Sequence, residues 1–222
     1  MRFEGVVVDY GHGGLIDGEY QTSGAKQYTF TDHDNWWVGE GVVNRQIAAK
    51  LIALLIEQRI PVYDCVAKKQ WTVAPSWEEL QQKDVSLVER VAYANQHHKC
   101  VFLSLHANAI GDGIEGKSLA PRGVSFFTSK GQTGADAVAS RLYAAFTEAL
   151  KDEDMRVRRG NWEDGDQDHE ASFYVLRKTW SSAVLGEVGF FTNWDDAQYL
   201  TSEDGQRVIA RAYLNGVLSF LR

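Results

Sequence analysis

The sequence of 222 residues has few cysteines and no long apolar or basic run. Its two cysteines, Cys65 and Cys100, stand in apolar stretches, and we interpret both as buried strand residues, although the sequence alone leaves a disulfide open. No stretch approaches the ~20 apolar residues that a membrane-spanning helix needs, so no membrane span is expected. The net charge is −7, without a cluster of lysine or arginine, and nucleic acid is therefore not an expected partner.

Strands and helices alternate along the chain. Short apolar runs predict strands at residues 6–9, 62–66, 100–105, 124–128, 173–176 and 183–188. Helical periods predict helices at 84–97, 135–150 and about 204–221, and another from Glu40 to a point before Pro61. Residues 18–38 are expected to be a long insertion loop and residues 151–171 a surface loop. Together these elements predict an α/β fold, one domain over residues 1–222, with its sheet covered by helices on both faces.

Four polar residues stand where α/β proteins place their sites, at strand ends and at a helix start. His12 follows the first strand in VVVDYGHGG, and His106 follows the strand CVFLSL. Glu187 ends the strand AVLGEV, and Glu40 opens the first helix. Two imidazoles and one carboxylate form a known catalytic zinc set, and a second carboxylate can act as a general base. This composition is sufficient for metal-assisted amide hydrolysis.

Each of these residues also has a purely structural interpretation. Glu40 favours a helix start because a carboxylate complements the helix dipole. His106 suits a hydrogen-bonded core position, and His12 suits a turn among glycines. Glu187 in an apolar strand needs a partner, and Arg90 is one candidate.

Two further histidines and three tryptophans leave alternatives open. His33, in DHDN, and His169, in DQDHE, lie in acidic segments. We interpret both histidines as solvated loop residues rather than as metal ligands. The alternative is that either one contacts the substrate or a second cation. Trp36, Trp37 and Trp162 either line a glycan or peptide groove or cover the edge of the core.

Five motifs in order make the sequence resemble a known family. VVVDYGHGG resembles its opening strand and histidine motif, and EGVVNRQIAAKL resembles its helix led by glutamate. VERVAYAN, LSLHANA and AVLGEVGFFTN resemble its arginine-and-asparagine helix, second histidine motif and final strand. The family is that of the zinc-dependent N-acetylmuramoyl-L-alanine amidases of type 3, found among bacterial cell-wall enzymes and phage endolysins.

The resemblance implies a fold, a site and a reaction. The fold is a twisted mixed, mostly parallel sheet flanked by helices. His12, Glu40 and His106 bind one Zn²⁺ per chain, and Glu187 is the catalytic glutamate. The substrate is peptidoglycan, cleaved at the amide between the lactyl group of N-acetylmuramic acid and L-alanine, by an endolysin or an autolysin.

Three features depart from the family pattern. Tyr10 stands where proline is usual, residues 18–38 are longer than usual, and the strand at 62–66 lacks the Thr-Arg that normally follows it. A zinc peptidase or amidase on another substrate, or a catalytically silent wall-binding module, are the alternative functions.

The place of action follows from the same resemblance. The enzyme is expected to act on the cell wall, yet the N-terminus lacks a secretory signal pattern. We therefore expect holin-type release, as for phage enzymes, or a leader outside this sequence, and a monomer by default.

Overall fold

A seven-stranded sheet forms the centre of the computed structural model, which describes residues 3–22, 24–160 and 165–221. Its strands are β1 (Val6–Tyr10), β6 (Val62–Asp64), β7 (Lys69–Trp71), β8 (Val101–Asn108), β10 (Val124–Thr128), β11 (His169–Glu170) and β12 (Ala183–Phe190). Two small sheets contain β2 (Leu15–Ile16), β3 (Glu19–Tyr20), β4 (Gln27–Phe30), β5 (Trp36–Gly39) and β9 (Glu115–Gly116). In the central sheet the strands follow the order β11-β10-β12-β8-β1-β6-β7.

The middle of the sheet is parallel. Strands β6, β1, β8 and β12 run in the same direction, whereas β7 and β10 are antiparallel to their inner neighbours. Val6, Val7 and Val8 of β1 are fully buried, as expected for a parallel strand covered on both faces.

Helices cover this sheet in two groups. They are α1 (Glu40–Glu57), α2 (Leu87–Gln96), α3 (Gly134–Ala149), α4 (Tyr174–Lys178), α5 (Trp194–Thr201) and α6 (Glu203–Leu221). α6 packs against α1, α3 and α5, whereas α2 packs against α4. The right-handed crossovers β1-α1-β6 and β6-α2-β8 run in opposite directions along the sheet, which places α1 and α2 on opposite faces. The predicted α/β fold, with a mixed, mostly parallel sheet flanked by helices, is confirmed.

A predicted strand and the start of a predicted helix differ from the structure. The apolar run at 173–176 was expected to be a strand but lies at the start of helix α4. A short apolar run does not distinguish a strand from a helix, and the basic Arg177 and Lys178 favour the last turn of a helix. Helix α2 begins at Leu87 rather than at residue 84, because the hydroxyl of Ser86 caps it by accepting from the amide of Glu89.

The segment 18–38 is not an irregular loop. Strands β4 and β5 form an antiparallel hairpin, and β9 pairs with β4 in parallel. Strand β4 does alternate polar and apolar residues, with Tyr28 and Phe30 buried, but each strand of the hairpin has only four residues, which is too short for the alternation to be a clear signal.

The segment 151–171 matches its prediction more closely. Most of the part that the structure describes lies outside helices and strands, and β11 adds a short edge strand to β10. Trp162, one of the groove candidates, lies outside the described residues. Cys65 and Cys100 are buried free thiols, and none of the helices in the described ranges is long and apolar enough to cross a membrane.

Candidate metal centre and active-site cleft

The topology brings the four candidate residues to one edge of the sheet. β12 and β1 both pair with β8, and Glu187 lies in register beside His106. His12 follows β1 by two residues, and Glu40 is the first residue of α1. His106 lies within β8 rather than after it, since the strand continues to Asn108. The side chains therefore converge at the carboxyl ends of the parallel strands, as predicted.

His12, Glu40 and His106 form a compact group of potential metal ligands. One ligand atom from each lies within 4.8 Å of the others. Glu40 Oε1 is 2.9 Å from His106 Nδ1, and Glu40 Oε2 is 3.1 Å from His12 Nε2. Bonds of 2.0–2.1 Å in a tetrahedral zinc site separate ligand atoms by about 3.4 Å. The two distances that involve Glu40 are close to that spacing.

The charges in the group also fit a cation. Glu40 is 1% exposed, and its Oε2 faces the buried Nε2 of His12 at 3.1 Å without a hydrogen bond of regular geometry between them. Lys26 Nζ lies 3.4 Å from Glu40 Oε2. Burial alone would raise the pKa of Glu40, but the two histidines outweigh burial and hold that pKa below its ordinary value. A buried carboxylate facing two imidazoles matches the donor set of a divalent zinc site.

The backbone of His12 is held in an uncommon conformation. Its φ of 68° lies in the left-handed region, where residues other than glycine are rare. Its carbonyl accepts hydrogen bonds from Arg45 Nη2 at 2.8 Å and Arg90 Nη2 at 3.3 Å. These two guanidinium groups stabilise the turn that directs the imidazole toward Glu40. Neither role was predicted from the sequence.

Arg90 is not the partner of Glu187. It forms ion pairs with Asp9 at 2.5 Å and Asp84 at 3.0 Å. Asp9 also accepts a hydrogen bond from Ser104 Oγ. The structural interpretation that pairs Arg90 with Glu187 is therefore wrong, and Arg90 instead connects α2 to the end of β1.

Gly11 makes room for an imidazole. A Cβ atom at this position would lie 2.0 Å from Cε1 of His106. Gly41 is similarly confined, since a Cβ there would lie 1.9 Å from the carbonyl oxygen of Gly13. Glycine is thus required for the close approach of the elements that present the ligand group.

The segment 18–38 braces the start of α1. The amide of Glu40 donates to the carbonyl of Lys26 at 2.9 Å. The hydroxyl of Tyr20 donates to the same carbonyl at 2.8 Å and accepts from the amide of Gly41 at 2.9 Å. This segment therefore fixes the residue that contributes the carboxylate of the ligand group.

Tyr10 has a structural role. It is buried, and its hydroxyl donates to Asp64 Oδ2 at 2.8 Å. Trp71 Nε1 donates to the same oxygen at 2.8 Å. Tyr10 thereby joins β1 to the β6–β7 edge of the sheet, which is what this chain has in place of the usual proline.

His12 and His106 of the ligand group line a cleft of about 400 Å³, whereas Glu40 is buried. Leu87 and Phe173, which are 51% and 42% exposed, lie on its wall, and Glu187 also lines it. Glu187 is half-buried, and its Oε2 is covered and has no hydrogen-bond partner. Burial and the Glu40 carboxylate raise the pKa of Glu187 to about 7, against the opposing effects of His106 and Lys26. Such a carboxyl group can both accept and release a proton near neutral pH.

The remaining histidine candidates lie elsewhere. His33 stacks on Trp194 with ring centroids 3.6 Å apart, and His169 packs on Phe127 at 5.0 Å. Neither belongs to a potential metal-ligand group in the part of the chain that the structure describes. The His33 side chain is 35% exposed and lies in a turn, which agrees with the solvated loop residue that we favoured, although its ring also stacks on Trp194.

The two described tryptophan candidates pack within the small sheet region. Trp36 contacts Trp194 edge-on at 5.3 Å, and Trp37 contacts Tyr20 at 5.7 Å. Neither lines the cleft. Their positions agree with aromatic side chains that cover the edge of the core.

Comparisons with known proteins identify the family and the fold of the chain. A profile of the N-acetylmuramoyl-L-alanine amidase family, Amidase_3, matches residues 6–219. A crystal structure of the N-acetylmuramoyl-L-alanine amidase from Clostridium difficile 630 superposes with a TM-score of 0.68 and 25% identity, covering 100% of this chain and 98% of that one. The catalytic domain of CwlV from Bacillus (Paenibacillus) polymyxa has the same TM-score at 24% identity, covering 100% and 98% of the two chains.

Curated relatives are longer than this chain. YqiI of Bacillus subtilis, an uncharacterized protein, is 30% identical over 138 residues, which cover 61% of this chain and 58% of that protein. The N-acetylmuramoyl-L-alanine amidase CwlM of Bacillus licheniformis is 29% identical over 164 residues, 74% of this chain and 57% of that protein. The family profile confirms the resemblance that the five motifs indicate: the chain belongs to the N-acetylmuramoyl-L-alanine amidase family.

Proposed function

We propose that residues 1–222 form one catalytic domain that hydrolyses the amide between the lactyl group of N-acetylmuramic acid and L-alanine in peptidoglycan. One Zn²⁺ per chain would be held by His12, Glu40 and His106, and Glu187 would be the catalytic residue. The observation that carries the proposal is the convergence of two imidazoles and a buried carboxylate beside Glu187 in an open cleft. Membership of the amidase family supports it.

In the proposed mechanism, the metal and the side chains of the protein have separate roles. A bound Zn²⁺ would supply a water of pKa near 7 and Lewis-acid stabilisation of the developing oxyanion. Glu187 then accepts a proton from the attacking water and delivers it to the leaving nitrogen of L-alanine. Its covered Oε2 and raised pKa suit both transfers. Arg45 and Arg90 position His12 through its carbonyl and do not touch the substrate in this scheme.

The cleft walls are compatible with a peptide attached to a sugar. Leu87 and Phe173 offer apolar surface, and Lys26 and Asp84 offer charges of both signs along the same cleft. The predicted place of action is the cell wall. Holin-type release and action as an endolysin or an autolysin remain part of the proposal.

Product analysis on purified cell walls tests the reaction. We expect new amino-terminal L-alanine without new reducing sugar, and we expect loss of this activity with a zinc chelator and recovery with added Zn²⁺. Release of other amino termini would instead indicate a zinc peptidase. Wall binding without any product would indicate a silent binding module.

Metal analysis tests the ligand set separately. The wild-type protein should contain one zinc per chain, and His106→Ala should lower the zinc content while the protein stays folded. His33→Ala is the matched control, because His33 lies outside the ligand group and should leave the zinc content unchanged. Full zinc content in His106→Ala would contradict the proposed site.

A further inference from the structure

A second group of potential metal ligands lies outside the cleft. It consists of Asp136, Asp166 and Asp168, whose ligand atoms lie within 4.8 Å of one another. Asp136 belongs to the first turn of α3, and Asp168 directly precedes β11. None of the three lines the active-site cleft. The group therefore joins the segment after residue 164 to a helix that is distant from it in the chain.

Asp168 is the second observation at this site. It is 5% exposed, and its Oδ2 accepts a hydrogen bond from Thr128 Oγ1 at 2.6 Å. Its other oxygen, Oδ1, is covered and has no hydrogen-bond partner, and the same is true of Asp166 Oδ1. A buried carboxylate oxygen without a donor is costly, so it requires a cation or a proton. The neighbouring carboxylates of Asp136 and Asp166 repel the charge on Asp168 and so increase the need for a cation or a proton.

We propose that Asp136, Asp166 and Asp168 bind a divalent cation of the calcium type, at a site separate from the proposed zinc centre. The donors are carboxylate oxygens only, which Ca²⁺ prefers and which zinc sites rarely use alone. In the sequence one residue separates Asp166 from Asp168, which is the spacing of successive ligands in known calcium loops.

The proposed cation would hold together β10, α3 and β11, which lie at one side of the central sheet. Thr128 ends β10, Asp136 begins α3, and Asp168 leads into β11. The segment continues through Ala171, whose amide donates to the carbonyl of Thr128 at 2.9 Å, to Phe173 at the cleft wall. Binding would therefore stabilise the folded state and hold the segment that approaches the cleft.

Charge repulsion within the cluster sets the expected response. Burial and the Asp166 and Asp136 carboxylates together raise the pKa of Asp168 to about 7, although the hydrogen bond from Thr128 opposes the rise. The cation-free protein is thus destabilised by this cluster at neutral pH. Replacing one aspartate with asparagine should relieve repulsion and should also remove a ligand.

Thermal unfolding of the zinc-loaded protein with and without Ca²⁺ tests the proposal. At a calcium concentration about a hundred times the dissociation constant, the melting temperature of the wild type should rise on the order of 5 °C. Asp166→Asn should have a higher melting temperature than the wild type in the absence of calcium, and it should lose the calcium-dependent rise. Calorimetric titration should find one Ca²⁺ per chain in the wild type and none in this variant.

Controls make the result specific. Asp152→Asn removes the same charge from an exposed position outside the cluster and should keep the full response to calcium. Asp168→Asn provides a second variant at the cluster and should also lose the response. The proposal is overturned if millimolar Ca²⁺ leaves the wild type unchanged, if Asp166→Asn responds as strongly as the wild type, or if Mg²⁺ produces an equal shift.

Discussion

Replacing Arg90 with methionine should destabilise the protein by about 3–5 kcal/mol, the usual cost of leaving a buried charge without its partner. Asp9 is 1% exposed, and Arg90 Nη1 lies 2.5 Å from its Oδ1. The same guanidinium donates to the carbonyls of Tyr10 and His12 at 2.9 and 3.3 Å. Methionine fills similar volume but replaces none of these contacts. The melting temperature should fall on the order of 10 °C.

The loss of unfolding free energy in Arg90→Met should be smaller at low pH than at neutral pH. Burial raises the pKa of Asp9, but Arg90, His106 and Ser104 together outweigh burial and hold that pKa below its ordinary value. A carboxyl group of this kind stabilises the fold at neutral pH, and that contribution is lost only as the pH falls through the lowered pKa. Without Arg90, burial dominates and raises the pKa of Asp9 above its ordinary value. The difference in unfolding free energy between wild type and variant should therefore shrink as pH falls from about 7 to about 5.

Urea unfolding at both pH values measures this difference. Arg207→Met is the matched control, because Arg207 is about half exposed and its ion pairs lie on the surface of α6. The control should cost less than about 1 kcal/mol. A loss below about 1 kcal/mol in Arg90→Met, or a larger loss that is identical at both pH values, would refute the reasoning.

Two further substitutions test contacts near the ligand group and along β1. Lys26→Met removes a positive charge 3.4 Å from Glu40 Oε2, so zinc should bind about fivefold more tightly at low salt, as measured by chelator competition. Lys83→Met, at an exposed position, should leave zinc affinity unchanged, and an unchanged affinity in Lys26→Met would contradict the electrostatic argument. Tyr10→Phe should cost about 1–2 kcal/mol of unfolding free energy in urea, because Asp64 loses one of its donors. A cost under about 0.5 kcal/mol would show that this hydrogen bond does not stabilise the sheet.

Much of the fold could be predicted from local patterns. Residues 124–128 were predicted as a strand with the bounds that the structure has, because an apolar run of this length between turn signals fits a buried strand. Helix α5 was not predicted, although Asn193 caps it by accepting from the amide of Asp196. In the sequence, a short helix with few apolar residues is marked only by its capping residue. That signal is weaker than the hydrophobic periodicity that marks a longer helix.

The site could be predicted as a set of residue types but not as a geometry. His12, Glu40 and His106 stood at predicted element ends, and parallel topology accounts for their convergence. The contributions of Arg45 and Lys26 could not be predicted, because they depend on contacts between segments far apart in the chain. The Asp136 cluster was missed for the same reason, since α3 and the segment before β11 meet only in the folded protein.

The most direct test of the central claim compares zinc-loaded wild type with Glu187→Gln on purified cell walls, with metal content measured in the same samples. Both proteins should contain one zinc per chain, because Glu187 lies outside the proposed ligand group. The wild type should release amino-terminal L-alanine, and the variant should release it about 10²–10⁴ times more slowly, since general acid–base catalysis contributes that factor. Release at a rate near that of the wild type by a fully zinc-loaded Glu187→Gln would contradict the account.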